Sequence, residues 1–310
     1  MMNETPLYYL FDDENNNRIF IKRDDLIPIS FGGNKARKAI NFFREITNSR
    51  YDCVVTYGSS SSNHCRIISN MAAARDLRCY IISPKEASKH TFNSKMMQLF
   101  GAEIIEVPVN EVSFTINAKL NELMEGGKKP YFIAGGGHGN LGTQAYVDCY
   151  KEIRKHEKIN NIHFDYFFFA SGTGTTQAGL VCGMLINNDE RKIIGISIAR
   201  KNPRGRQVVI DSIHEYLNEK KILVQAEEIE KNTIFLDDFT GGGYGQDNLE
   251  VNDIIRKVLV RYGIALDSTY TGKAFIGMKK YLNQEHVMDK NILFIHTGGT
   301  PLFFNDLDRL

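Results

Sequence analysis

Eight short, almost uninterrupted apolar runs constrain this chain more than any other feature, and "FDYFFFA" (164–170) is the purest of them. A strand without polar alternation has to be covered on both faces. That is the situation of a parallel sheet held between layers of helices. "DCVVTY" (52–57), "CYIIS" (79–83), "AEIIEVP" (102–108) and "YFIAGGG" (131–137) form a first series, with helical patterns at 63–75, 92–100 and 113–125. A longer helix over 143–157 leads to a second series: "FDYFFFA", "IIGISIA" (193–199), "TIFLDDF" (233–239) and "NILFIHT" (291–297). Helical patterns near 175–187, 204–220, 249–262 and 272–284 separate these. The alternation predicts parallel sheets flanked by helices, in two α/β domains that meet near residue 148.

Composition enters as exclusion. The 310 residues carry a net charge of +1 with both signs well mixed, which argues against a nucleic-acid or membrane-surface partner. No apolar run is long enough to span a membrane, and "MMNETPLYYLFDDENNN" lacks the basic and apolar parts of an export signal. The five cysteines are odd in number and show no CxxC spacing. A disulfide framework or a zinc site is not expected, no metal site is predicted, and a reducing cytoplasm fits. Cys65 lies in a polar motif and is either reactive or, like the other four, a small apolar filler.

Glycine-rich segments fall where the strands end, which in open α/β sheets is where ligands bind. In "FFFASGTGTTQAGL" (167–180), Gly172 and Gly174 allow a tight turn into a helix near Thr175. Free backbone N–H groups with the hydroxyls of Ser171, Thr173, Thr175 and Thr176 form a phosphate cradle. The bland alternative is an ordinary capped strand–helix turn. No lysine makes this a P-loop, and the glycine spacing does not match the dinucleotide fingerprint. "YGSSSSNHCR" (57–66) repeats the geometry, and its four serines exceed what capping needs. A second anion such as a carboxylate would suit that helix start. Lys35 in "PISFGGNKARK" opens a third helix, where the dipole mildly disfavours a cation. It is either a solvated surface lysine or an amine made easier to deprotonate by Arg37 and Lys38. An amine, a phosphate cradle and a carboxylate site together point to pyridoxal 5′-phosphate.

"KRDDLIP-SFGGNKARK" (22–38), "GSSSSNHCR" (58–66), "SGTGTTQAGL" (171–180), "DDFTGGGYG" (237–245), "LDSTYTGKA" (266–274) and "IHTGGTP" (295–301) resemble the 1-aminocyclopropane-1-carboxylate deaminase and D-cysteine desulfhydrase family. These are fold-type II pyridoxal-phosphate enzymes, and the motifs run in order over nearly the whole chain. The resemblance implies two open, twisted, mostly parallel sheets. It implies a small domain over 50–148, a large one from 1–49 and 149–310, and a homodimer. It implies that Lys35 holds the cofactor's aldehyde and moves the substrate α-proton, and that Asn63 bonds the ring oxygen. Gly172, Thr173, Gly174, Thr175 and Thr176 would hold the phosphate. Ser62 would meet the substrate carboxylate or assist proton transfer. Ser61 and His64 beside it, with Tyr244 and Tyr270, would line the substrate pocket. Each tyrosine could equally be a half-buried core aromatic.

Thr271 stands where the deaminases carry Glu, as in the desulfhydrase-like members. A hydroxyl from Thr271 or Thr297 would leave the pyridine nitrogen neutral and the electron sink weaker, which suits β-elimination. The expected reaction is elimination on a small amino acid of D-configuration, such as D-cysteine. Alternatives are deamination of the cyclopropane amino acid, racemisation or β-replacement on the same fold. A non-catalytic phosphate-binding protein is the reading from a different class. Ser61, Cys65 and His138 depart from the family pattern. His64 and His138 are acid/base groups or structural hydrogen-bonding residues.

Overall fold

The computed structural model describes residues 4–88, 90–239 and 248–310. The first apolar series builds one parallel sheet of four strands: β3 (Cys53–Tyr57), β4 (Arg78–Pro84), β5 (Glu103–Val107) and β6 (Pro130–Ile133), in the order β5-β4-β3-β6. The second series, β7 (Tyr166–Ser171), β8 (Lys192–Ser197), β9 (Ile234–Leu236) and β10 (Asn291–His296), builds most of another. That sheet also takes two strands from the chain's start, β1 (Leu7–Asp12) and β2 (Arg18–Arg23), giving the order β1-β2-β10-β7-β8-β9. Only the β1–β2 pair is antiparallel. The expected α/β class with two mostly parallel sheets is what the chain forms.

The helices cover both sheets: α1 (Asn34–Asn48), α2 (Asn63–Ala73), α3 (Phe92–Leu99), α4 (Val112–Glu125), α5 (Asn140–Asn160), α6 (Thr175–Ile186), α7 (Arg204–Glu219), α8 (Ala226–Asn232), α9 (Leu249–Tyr262), α10 (Thr271–Gln284) and α11 (Thr300–Asp306). The uninterrupted strands are buried as their composition requires. Phe167, Phe168, Phe169, Ile193, Ile194 and Phe294 are all fully inaccessible. Helix α6 is itself buried all round and lies on α5 through two glycines. A Cβ on Gly179 would stand 2.3 Å from the Thr143 carbonyl oxygen, and one on Gly183 would stand 2.5 Å from the Tyr150 Cβ. This close approach fixes where the N-terminus of α6 points.

The strand expected over 131–137 stops at Ile133. Gly136 and Gly137 follow with φ of 73° and 68°, a left-handed backbone that no strand accommodates. Among the described residues no helix is long and apolar enough to cross a membrane. No cluster of His, Cys, Asp or Glu among them could hold a metal ion.

Candidate active site

Helix α1 presents Lys35 because of the glycines before it. Gly33 (φ 98°) and Gly298 (φ 100°) let two backbones touch; a Cβ on Gly33 would meet the Thr297 carbonyl oxygen at 2.7 Å. The Asn34 N–H donates to that same oxygen at 2.9 Å. The start of α1 is thereby locked to the turn after β10. Lys35 Nζ points into a cavity of about 350 Å³ and donates to the Gly136 carbonyl at 3.0 Å. Burial, with a further contribution from the Arg200 charge, lowers its pKa to about 8.

The source of that shift corrects the sequence expectation. Arg37 does not act on Lys35. Its guanidinium is bound to Asp24 at 2.7 Å and to Glu152 at 2.6 Å. Lys38 serves a different purpose. Its buried Nζ donates to the Thr175 hydroxyl at 2.7 Å, where α6 begins, and among the described residues no ion pair with a carboxylate forms there. A buried ammonium without an anion is costly. Burial and the nearby Lys35 push its pKa well below the ordinary range. Asn34 Nδ2 reaches the neighbouring Thr176 hydroxyl at 3.1 Å. The turn Gly172–Thr176 thus has free helix N–H groups, hydroxyls and a cation without a counter-charge, the donor set that a phosphate dianion requires. Gly172 and Thr173 line the cavity itself. Gly136 borders the same space, since a Cβ there would stand 2.6 Å from Thr173 and 3.1 Å from Lys35 Nζ.

The serine loop supplies the opposite wall. Ser62 caps α2 by accepting from the Cys65 N–H at 3.1 Å, and Ser62, Asn63 and His64 line the cavity. Ser61 is outside that lining: its hydroxyl pairs with Ser59 at 3.1 Å and its carbonyl accepts from Asn93. Asn93, on α3, also donates to Asn63 Oδ1 at 2.9 Å and so fixes how that amide faces. His64 Nε2 lies 2.9 Å from the Thr56 hydroxyl, which donates its own proton to the Ile133 carbonyl at 2.7 Å. His64 must therefore be the donor to Thr56. Burial, then the Lys35 and Lys38 charges, depress its pKa strongly. The imidazole is neutral with its proton on Nε2, which leaves Nδ1 as an acceptor. Cys65 is fully buried and its thiol is pushed up to about 12, so it is the filler rather than a reactive thiol. His138, its pKa lowered by burial and by Lys38, bonds the Thr173 backbone, a structural role.

Tyr270 lines the cavity at the start of α10, Tyr57 lines it from the head of the serine motif, and Arg200 lines it unannounced by any motif. Tyr244 lies outside the described residues. Thr271 and Thr297 are both buried but do not line the cavity. The Thr271 hydroxyl donates to Asp267 Oδ1 at 2.8 Å and accepts from the Asp267 N–H at 2.9 Å. Its one proton is committed, whereas the Thr297 hydroxyl has no such bond among the described residues. Burial raises Asp267 to about 6 despite the N–H groups and hydroxyl that serve it. A larger groove, about 630 Å³, runs along α9 past Phe11 and Arg261, and none of the expected site residues reaches it.

Comparison with known proteins bears on the family and the fold. A family model described as pyridoxal-phosphate dependent enzyme matches residues 2–298. A solved structure described as an ACC deaminase homologue is 32% identical, with a TM-score of 0.88 over 99% of this chain and 92% of that one. A hydrogen sulfide-producing enzyme from Fusobacterium nucleatum is 18% identical (TM-score 0.65, 97% of each chain). A cysteine synthase from Entamoeba histolytica is also 18% identical (TM-score 0.69, 100% of this chain and 89% of that one). The last two share the fold.

Proposed function

The chain belongs to the family of pyridoxal-phosphate dependent enzymes, and on that premise we propose that it is a lyase that carries out α,β-elimination on a small amino acid such as D-cysteine. The products are a 2-oxo acid, ammonia and the displaced group. One observation carries the reading: a lysine amine with a pKa near 8 shares one cavity with a phosphate-type helix start and a second anion-type helix start. The residues fit the cofactor. Lys38 and the α6 N-terminus answer its phosphate, Asn63 its ring oxygen, and Lys35 its aldehyde. When bound, the cofactor supplies an aldehyde for amine exchange and a conjugated ring that stabilises the carbanion formed at the α-carbon.

With the cofactor bound, Lys35 would be placed to take the substrate α-proton. Its lowered pKa keeps a useful fraction of neutral amine near neutral pH. Ser62 Oγ accepts at the α2 cap, so its hydroxyl proton is directed to a substrate carboxylate alongside the helix N–H groups. Tyr270 lines the side where a β-substituent would leave. Of the two hydroxyls considered for the pyridine nitrogen, Thr297 is the one with a proton to give. A neutral hydroxyl there favours prompt expulsion of a β-group over long-lived carbanion chemistry. The likeness to an ACC deaminase homologue supports cyclopropane deamination as the second reading, and Thr271 in place of Glu counts against it.

We further read 50–148 as the smaller domain and the remainder as the larger, in keeping with which strands share a sheet. The assembly is read as a homodimer in the reducing cytoplasm, where five buried free thiols are stable. The test is direct. The purified holoenzyme should show a visible band that borohydride removes, and Lys35→Ala should lack it and release no 2-oxo acid from any amino acid. A colourless protein with added cofactor, or turnover by Lys35→Ala, overturns the assignment.

A further inference from the structure

Arg200 follows β8 and lines the cavity that holds Lys35. Its Nη1 is buried with no hydrogen-bond partner. The charges that act on it are Arg204 and the Tyr57 phenol, with no carboxylate among them. Asp237, which meets the residues just after Arg200, is taken by the Asn202 N–H at 3.0 Å and Asn202 Nδ2 at 2.9 Å. None of the residues lining the cavity is acidic. A partly buried guanidinium with one enclosed nitrogen left unpartnered has a place for an anion that the described chain does not supply.

The anions already assigned to the site do not call for it. The phosphate has Lys38 and the start of α6, and the α-carboxylate has the start of α2 with Ser62. Arg200 is a surplus cation in a lining it shares with Tyr57 and Gly58. Its planar fork suits a carboxylate better than any neutral group. Resting on the reading of this cavity as an amino-acid site, we propose that Arg200 is a specificity-determining residue for a second acidic group, and that the preferred substrate is a small amino acid with a side-chain carboxylate. The small cavity, about 350 Å³, keeps that side chain short.

The holoenzyme is offered matched pairs in both enantiomers. Aspartate and asparagine are compared by the dissociation constant from the visible band. 3-Hydroxyaspartate and threonine, which share the β-hydroxyl, are compared by kcat/KM for 2-oxo acid release. The acidic member should be favoured in each pair by about 10- to 100-fold, the worth of one charged hydrogen-bonded contact. Arg200→Gln should bring both ratios to within a few-fold of one, and Arg200→Lys, which keeps the charge without the fork, should retain part of the preference. If Arg200→Gln does not fold, the wild-type ratios and Arg200→Lys decide. Ratios near one in the wild type overturn the proposal while leaving the amino-acid site standing. So does an Arg200→Gln variant that weakens acidic and neutral partners equally, since Arg200 would then serve the cofactor or the α-carboxylate. If no member of either pair perturbs the band or is turned over, the amino-acid reading falls as well.

Discussion

Lys35 shows how a residue's reactivity is set by what surrounds it. Burial is the larger cause of its lowered pKa and the Arg200 charge the next; the thiol of Cys65 acts in the opposite direction. His64 and Lys38 also face this region, the first neutral and the second itself depressed. Attack on an aldehyde needs the unprotonated amine, so attachment of the cofactor to the apo-protein should accelerate as pH rises and level off above about 8. The measurement is the initial rate of band formation as a function of pH. Arg200→Gln removes a positive neighbour and should move the midpoint upward. A rate still climbing toward the ordinary lysine value of 10.5 would refute this account. Lys35 was legible in the sequence because glycines and hydroxyl-rich helix starts mark it. Lys38, Asn93 and Arg200 were not. Each acquires its role from a partner far along the chain: Lys38 at Thr175, Asn93 at Asn63, and Arg200 in a cavity shared with Lys35.

At the level of elements, sequence pattern located the strands whose apolar runs are uninterrupted and missed those that charged or mixed residues break up. The eight apolar runs became strands and the intervening patterns helices. Strand β1 went unread because it is a partly exposed edge strand, "LYYLFD", and β2 because its buried run "RIFIKR" is short and bounded by charged residues. The short helices α8 and α11 lack a full amphipathic period. The most consequential element is α6, since its first turn is the phosphate cradle and its position depends on α5. Gly179→Val should push the two helices apart, because the Tyr146 Cβ and the Thr143 carbonyl oxygen already occupy the added volume at 2.5 and 2.3 Å. We expect a loss of about 1–3 kcal/mol, typical of overpacking, read as a lower urea midpoint. Cofactor affinity should fall with it. An unchanged midpoint would mean that the helices are not in the contact described.

The molecule as a whole has to hold α1 against α5 and the segment after β2, because Lys35 rides on it, and a buried ionic network does this. Asp24, fully buried after β2, accepts from Arg37 Nη2 of α1 at 2.7 Å, from the Tyr146 hydroxyl of α5 at 2.7 Å and from the Thr5 hydroxyl at 2.8 Å. Arg37 continues to Glu152 on α5 at 2.6 Å, and Glu152 takes Lys22 from β2 at 2.9 Å. Burial alone would raise the Asp24 pKa, but Arg37, then Lys22 and Tyr146, more than offset it and hold the carboxyl at about 2. A carboxyl depressed in the folded state contributes its stability in full above the ordinary value near 3.8, and loses it as pH falls toward 2. Asp24→Asn leaves Arg37 buried with half its partners. Its expected cost near neutral pH is about 3–5 kcal/mol, as for other buried pairs broken on one side, together with a shallower acid limb in the same window. Urea midpoints of both proteins across that range supply the comparison. Because the network positions α1, the variant should also attach the cofactor more slowly in solutions where it is still folded. A midpoint equal to that of the wild type would show that α1 is held by apolar packing alone.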